Sequence, residues 1–183
     1  MAELGAQRHP PVVTAVGAWR LLQPMARYIL RGDARVISAA GAALGIEIQQ
    51  APCRAAQCGA RAALWLGPDE YLLLAPDTQS DEVARALRHA LQVEPHSLVD
   101  VGHRQTALKI TGLQATDILN SGCPLDLDST AFPVGMCTRT IFAKAEVVLW
   151  RTASDVFHIE VWRSFADYVA GLLNEAAQEY RDP

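Results

Sequence analysis

His103 stands between Gly102 and Arg104, at the end of a short apolar stretch. An imidazole titrates near neutral pH, so this is a position where an acid or a base could work. A general base also needs an orienting partner. Asp100 lies too close along the same strand to be one, so a structural hydrogen bond is the expected role of His103. His158 falls off the predicted core face of its strand, which suits a surface or interface better than a ligand. Cys53 and Cys58 are separated by four residues, a spacing compatible with half of a zinc site. The other half would have to come from Cys123 and Cys137, each in its own loop with no histidine at ligand spacing. No metal site is expected. The chain has no Gly-x-Ser-x-Gly nucleophile elbow, no P-loop and no Gly-x-Gly-x-x-Gly. Gly41-Ala-Ala-Leu-Gly45 falls inside a predicted helix and is not a phosphate loop. These residues predict no catalytic group on this chain.

Four tryptophans remain: Trp19, Trp65, Trp150 and Trp162. Trp150 and Trp162 lie on a predicted hairpin, each followed by an arginine, Arg151 and Arg163. If helices cover only one face of the sheet, these four residues can occupy the open face. Exposed aromatics beside arginines suit a protein interface. Simple burial is the equal alternative.

The bulk numbers set the frame for these side chains. The 183 residues are 50% hydrophobic and 20% charged, with a net charge of −4. A chain of this length buries roughly 70% of its unfolded surface and needs neither disulfide nor metal to fold. No block of lysine or arginine is present, which argues against nucleic acid and against an anionic membrane surface. No stretch is long and apolar enough to span a bilayer, and Pro10-Pro11 interrupts what would otherwise be a leader. The expected location is cytoplasmic, with the four cysteines as reduced thiols.

The elements that must position these residues repeat one pattern twice: strand, helix, hairpin, helix. In the first round, 20–30 reads as a strand interrupted by Pro24. Asp33 caps a helix with Val36, Ile37, Ala40, Ala43 and Leu44 on one face, and Gly45 stops it. Ala62–Leu66 and Tyr71–Ala75 form a hairpin across Gly67-Pro68-Asp69-Glu70. Ser80 is expected to cap the next helix. The second round has strands at 98–101 and 106–111 and a helix carrying Ile118 and Leu119. Its hairpin is 146–151 with 156–162, and a last helix is capped by Ser164. Alternation directs Phe157, Ile159 and Val161 inward and leaves His158, Glu160 and Trp162 on the other face. The predicted fold is α+β: two small split-βαβ subdomains, each an antiparallel sheet with helices on one face. Residues 1–16 are expected to be a flexible lead-in, 17–97 the first subdomain and 98–183 the second, together one unit.

The ordered motifs of the second round add a family resemblance. They are Leu98-Val-Asp-Val-Gly-His-Arg-Gln105, Gly122-Cys-Pro-Leu-Asp-Leu127, Phe132-Pro-Val-Gly135, Thr138-Arg-Thr140, Lys144-Ala-Glu-Val-Val-Leu-Trp-Arg151 and Glu160-Val-Trp-Arg-Ser-Phe165. With the hairpin Ala62–Pro76, they resemble the gamma subunit of bacterial heterotetrameric sarcosine oxidase. The resemblance implies a complex that demethylates sarcosine to glycine, forming hydrogen peroxide and 5,10-methylenetetrahydrofolate. It implies alpha, beta and delta partner subunits, alpha being the main one. FAD, FMN, NAD and tetrahydrofolate are expected on other subunits and none on this chain.

The fold implied is that of the folate-binding aminomethyltransferases. Asp100-Val101-Gly102-His103 stands where that wider family reads Asp-Val-Ser-His. The match stops at the pterin site. Ala145-Glu146-Val147 replaces the paired aspartates, and Val161-Trp162-Arg163 replaces the asparagine-rich segment. The expected role is therefore non-catalytic and structural. One alternative is a free-standing folate-binding one-carbon protein with a pocket near His103, Glu146 and Arg163. Another is a subunit of a related N-methyl amino acid oxidase.

Overall fold

A computed structural model describes residues 18–180. The expected lead-in, 1–16, lies outside them. The strand expected over 20–30 is two strands that part company at Pro24. β1 (Ala18–Leu21) and β2 (Met25–Arg31) belong to different sheets.

After β2 come α1 (Ala34–Leu44), β3 (Ala55–Cys58), β4 (Arg61–Gly67), β5 (Glu70–Pro76) and α2 (Ser80–Leu91). β6 (Ser97–Asp100) then closes the first sheet against β2, giving the order β3-β4-β5-β2-β6. The chain continues through β7 (Gln105–Thr111), α3 (Ala115–Asn120), β8 (Cys137–Phe142), β9 (Ala145–Ala153), β10 (Val156–Trp162) and α4 (Ala166–Gln178). The second sheet is ordered β1-β7-β10-β9-β8. The two orders are the same arrangement written twice. β6 and β1 take equivalent edges, and β3 and β8 take the other two. All pairings are antiparallel. The α+β class with two antiparallel sheets matches expectation. The sheets do, however, exchange strands across the expected boundary: β1 joins the later sheet and β6, from 98 onward, joins the earlier one.

Local chemistry fixes the helices. Asp33 Oδ1 accepts from the amides of Arg35 and Val36 at 2.9 and 3.1 Å. Gly45 adopts φ +69° and ends α1, as a left-handed stop requires. Ser80 and Ser164 do not cap. Each helix is entered through a 3₁₀ turn, Asp77–Gln79 or Arg163–Phe165, and no side chain accepts from the first α-helical amides. The Ser80 amide is satisfied by Asp77 O within that turn, and the Ala166 amide by Arg163 O.

Packing shows three apolar layers. α1 and α2 cover one face of the first sheet through Val36, Ile37, Leu87, Tyr28, Leu30 and Leu73. α3 and α4 cover one face of the second through Ile118, Leu173, Leu149 and the inward set Phe157, Ile159 and Val161. Between the sheets, Leu64, Leu72 and Leu74 meet Val148, Trp150 and Cys137. The order is therefore helices, sheet, sheet, helices. The face expected to be open is covered by the other sheet, and His158 and Glu160 are buried there rather than exposed.

β1 is the strand that most needs distant partners. Trp19 is buried in the core of the second sheet, and its Nε1–H donates to Asn174 Oδ1 at 2.7 Å. Trp19→Ala should cost about 3–5 kcal/mol, measured by urea unfolding of the chain. A loss below about 1 kcal/mol, the scale of a surface change, would mean that β1 is not a working member of that sheet.

Candidate functional site

Two charged clusters and a cavity lie along the seam between the sheets. Arg27 stands between Ala26 and Tyr28 in the middle of β2, and Glu160 stands between Ile159 and Val161 of β10. They meet across the seam. Arg27 Nε donates to Glu160 Oε2 at 2.6 Å, and Nη1 donates to Met25 O at 2.9 Å. His158 Nε2–H donates to Glu160 Oε1 at 2.7 Å, and the His158 ring lies 5.7 Å from that of Trp150. Burial alone would push the Glu160 carboxyl up. The His158 hydrogen bond and the His158 and Arg27 charges outweigh it and hold the group below the usual carboxylate range.

The second cluster centres on Glu70 of β5, which accepts from Arg139 of β8 and from Arg31 of β2, the latter at 2.7 Å. Burial raises its carboxyl, and the two arginines bring it down below its ordinary value. Cys137 shows burial winning: its thiol is pushed up to about 12, the hydrogen bond to Trp65 O and the Arg54 charge being too weak to offset it. It is an inert core thiol, not a nucleophile. All four cysteines are free. Among the described residues, no group of three or more His, Cys, Asp or Glu side chains is placed to hold a metal ion.

The cavity, about 210 Å³, opens where β7, β9 and β10 begin or end. Its polar lining is Arg104, Gln105, Arg139, Glu146 and Glu160, and Trp162 forms a wall. Gln105 and Trp162 are cross-strand partners. Arg104 sits over the Trp162 ring, 5.1 Å from its centroid.

Of the residues singled out in the sequence, Glu146 and Trp162 share this cavity. His103 and Arg163 are exposed beside it, next to Arg104 and Trp162 in sequence, but they do not line it. Arg163 N–H donates to Arg104 O at 2.9 Å, which ties the two segments together. Trp150 and Arg151 are buried and offer no surface. Arg151 instead pins the loop before β8, donating to Leu127 O and Phe132 O at 3.0 and 2.9 Å. Trp162, Phe165 and Tyr168 are each more than a third exposed, and the last two meet edge to face at 6.3 Å. Arg27, Arg104, Gln105 and Arg139 were not singled out beforehand. The available signal was a charge in the middle of an apolar strand, Arg27 on β2 and Glu160 on β10, which marks a buried pair.

The family model for "Sarcosine oxidase, gamma subunit family" matches residues 31–179. The chain belongs to that family. The gamma subunit from Arthrobacter sp. is 33% identical over 147 residues, 80% of this chain and 71% of that one. The gamma subunit from Corynebacterium sp. (strain P-1) is 36% identical over 119 residues, 65% of this chain. This chain spans only 58% of that relative's length. The fold matches a chain of the heterotetrameric sarcosine oxidase from Corynebacterium sp. U-96 with a TM-score of 0.85, at 29% identity, covering 91% of this chain and 86% of that one. An aminomethyltransferase T of the glycine cleavage system from Bartonella henselae shares the fold, with a TM-score of 0.66, 13% identity, 87% of this chain and 45% of that one. The gamma-subunit family thus carries a fold like that of an aminomethyltransferase, as the resemblance implied.

Breaking a buried pair strands its partner. Arg27→Met should therefore cost roughly 3–5 kcal/mol, whereas Arg27→Met with Glu160→Leu should recover much of that loss. The depressed carboxyls of Glu160 and Glu70 also set the acid limb. Their contribution is whole above about pH 4.3, the unfolded value, and is lost as pH falls through the folded values. Urea midpoints measured from pH 6 downward, a range centred on the carboxylates, should fall more shallowly for Glu160→Gln than for the parent. An equal slope would mean that Glu160 is already neutral in the folded chain.

Proposed function

We propose that this chain is the gamma subunit of a heterotetrameric sarcosine oxidase and serves as its non-catalytic assembly subunit. The family match over 31–179 carries the reading. The complex would oxidatively demethylate sarcosine to glycine, yielding hydrogen peroxide and, with tetrahydrofolate, the methylene carrier. FAD, FMN, NAD and tetrahydrofolate would sit on other subunits, and the chain would pack chiefly on alpha, within reach of beta and delta. The reading puts the complex in the cytoplasm; no helix of the described residues is long and apolar enough to cross a membrane.

The way the chain uses its polar groups supports a scaffold. The buried charges of the seam are met within the chain: Glu160 by buried Arg27, and Glu70 by the more exposed Arg139 and Arg31. The exposed aromatics Trp162, Phe165 and Tyr168, with Arg104 stacked on the first and Arg163 beside it, form the surface offered to alpha. Aromatic and arginine side chains carry most of the energy in protein interfaces.

The tagged chain, purified from its own cells, should arrive in a yellow complex with three other chains. The separated chain should be colourless and inactive. Trp162→Ala with Phe165→Ala should weaken assembly by at least about 2 kcal/mol, roughly 30-fold, while the chain stays folded. A solitary protein in the eluate, or a flavin spectrum from the chain alone, would overturn the proposal.

A further inference from the structure

The β1 edge of the second sheet carries cations that the described residues leave unanswered. Arg20 of β1 lies directly opposite Lys109 of β7, and Lys109 lies directly opposite His158 of β10. All three are on the seam face, because the alternate residues Trp19, Leu108, Ile110, Phe157 and Ile159 pack toward the helices. His158 is met by Glu160, which Arg27 also holds. Arg20 and Lys109 make no ion pair among the described residues. Like charges directly opposite one another destabilise a sheet. A charge on an edge strand can simply keep other strands away. That does not account for Lys109, because β7 has a neighbour on each side.

The main chain of the same strand has bonding groups to spare. Leu22 N–H donates to Ala107 O at 2.8 Å, and bonded pairs alternate along an antiparallel ladder. Arg20 and Lys109 are therefore a bonded pair, and the N–H and C=O groups of Trp19 and Leu21 point away from the sheet. Other edges are managed within the chain. At β6, the equivalent edge of the first sheet, Asp100 Oδ1 accepts from Gly102 N–H at 2.8 Å. The outer side of β8 is met at its start by residues 53–55, through Cys137 N–H to Cys53 O and Ala55 N–H to Gly135 O. β1 combines an open ladder with unanswered cations, and Leu21 beside them is 48% exposed.

We propose that β1 accepts an extended segment of a partner chain as a further strand of the second sheet, and that this segment sets a carboxylate, flanked by aliphatic residues, against Arg20 and Lys109. The pattern follows from the period of two. The residue beside Arg20 lies on the seam face and meets the cations. Those before and after it lie on the helix face, beside Trp19 and Leu21. Main-chain bonds supply the affinity, and the carboxylate selects the segment. Within the chain, β10 answers Arg27 with the same pattern, Ile159-Glu160-Val161. The proposal rests on the reading of this chain as a subunit of a complex, but it uses a surface other than the Trp162 rim. β1 pairs with 108–111 of β7, whereas Trp162 pairs with Gln105.

The test compares the yellow complex purified from its own cells with the chain separated from it. Amide hydrogen exchange at Trp19 and Leu21 should be at least about tenfold slower in the complex than in the separated chain. A carbodiimide joins an amine directly to a carboxylate. It should link Lys109 to an aspartate or glutamate of a partner chain that has aliphatic residues on both sides. Lys144, the chain's other lysine, lies between β8 and β9 and should not form that link. Arg20→Glu should cut the protection of both amides in the complex by about tenfold, and Arg20→Lys should keep it. Arg20 is exposed, so both variants fold. Amides already protected in the separated chain would overturn the proposal. They would point to the chain's own residues 1–17 as the cover, or to a second copy if the protection rises with concentration. A Lys109 link confined to carboxylates of this chain would also overturn it. Fast exchange in an intact yellow complex would mark charges that only repel strands, rejecting the added strand and leaving the subunit role standing. A solitary chain in the pull-down would defeat both readings.

Discussion

Glu160 is a fully enclosed carboxylate in the middle of a sheet, and Arg27 reaches it from the sheet opposite. Removing two charges from water costs several kcal/mol each, and only close geometry with further hydrogen bonds offsets it. Arg27 supplies two donors to Glu160 and His158 supplies a third. Such a pair contributes little net stability, yet it makes a wrong sliding of the sheets expensive, because any shift strands both charges. The apolar contacts around it, Leu64, Leu72 and Leu74 against Val148 and Trp150, are less selective. Aliphatic surfaces tolerate small displacements that a charge pair does not. Register between the sheets therefore rests on Arg27 and Glu160, and the seam cavity, which Glu160 helps to line, inherits its shape from that register.

The exchange of β1 and β6 works in the same direction. The first sheet is closed by the contiguous stretch 25–100, whereas the second takes β1 from ahead of that stretch, so the chain wraps the first sheet between the two parts of the second. Parting the halves would uncover β7 and β2 as new edges, and bare edges are sites of wrong pairing. Covalent routing and the buried ion pair thus impose the same constraint at two levels. The identical order of the two sheets, each with an added edge strand, makes the chain two copies of one βαββαβ plan whose fourth strands come from different ends.

Much of this was legible in the sequence and some of it could not be. The Asp33 cap, the Gly45 stop, the two hairpins and the inward set Phe157, Ile159 and Val161 follow from local chemistry and period, and they stand in the structure. A period of two tells which residues share a face, not what covers that face. Trp150, His158 and Glu160 were correctly grouped with Trp162, but the cover turned out to be a second sheet. β3 and β8 escaped notice because edge strands are half solvated; Thr138, Arg139 and Thr140 lack the apolar run that marks a central strand. The sheet membership of β1 is set by Trp19 meeting residues far along the chain. The serines failed as caps because a 3₁₀ turn had already met the need.

The same face explains why the aromatic and basic residues divide as they do. Trp150 and Trp162 are both on the seam side, but β10 runs out of cover at its end. Trp150 lies opposite His158 in the middle of the sheet, and Trp162 pairs with Gln105 at its rim. One is therefore core and the other is half in water. Arg151 is buried because three loop carbonyls, those of Leu127, Phe132 and Ser154, take its donors; Arg163 begins a 3₁₀ turn outside the sheet and stays exposed. The chain thus neutralises its central charges internally and leaves an aromatic rim with Arg104 at one end. The charge pairs fix the centre of the fold, and the end of β10, where cover runs out, is its one chemically distinctive edge.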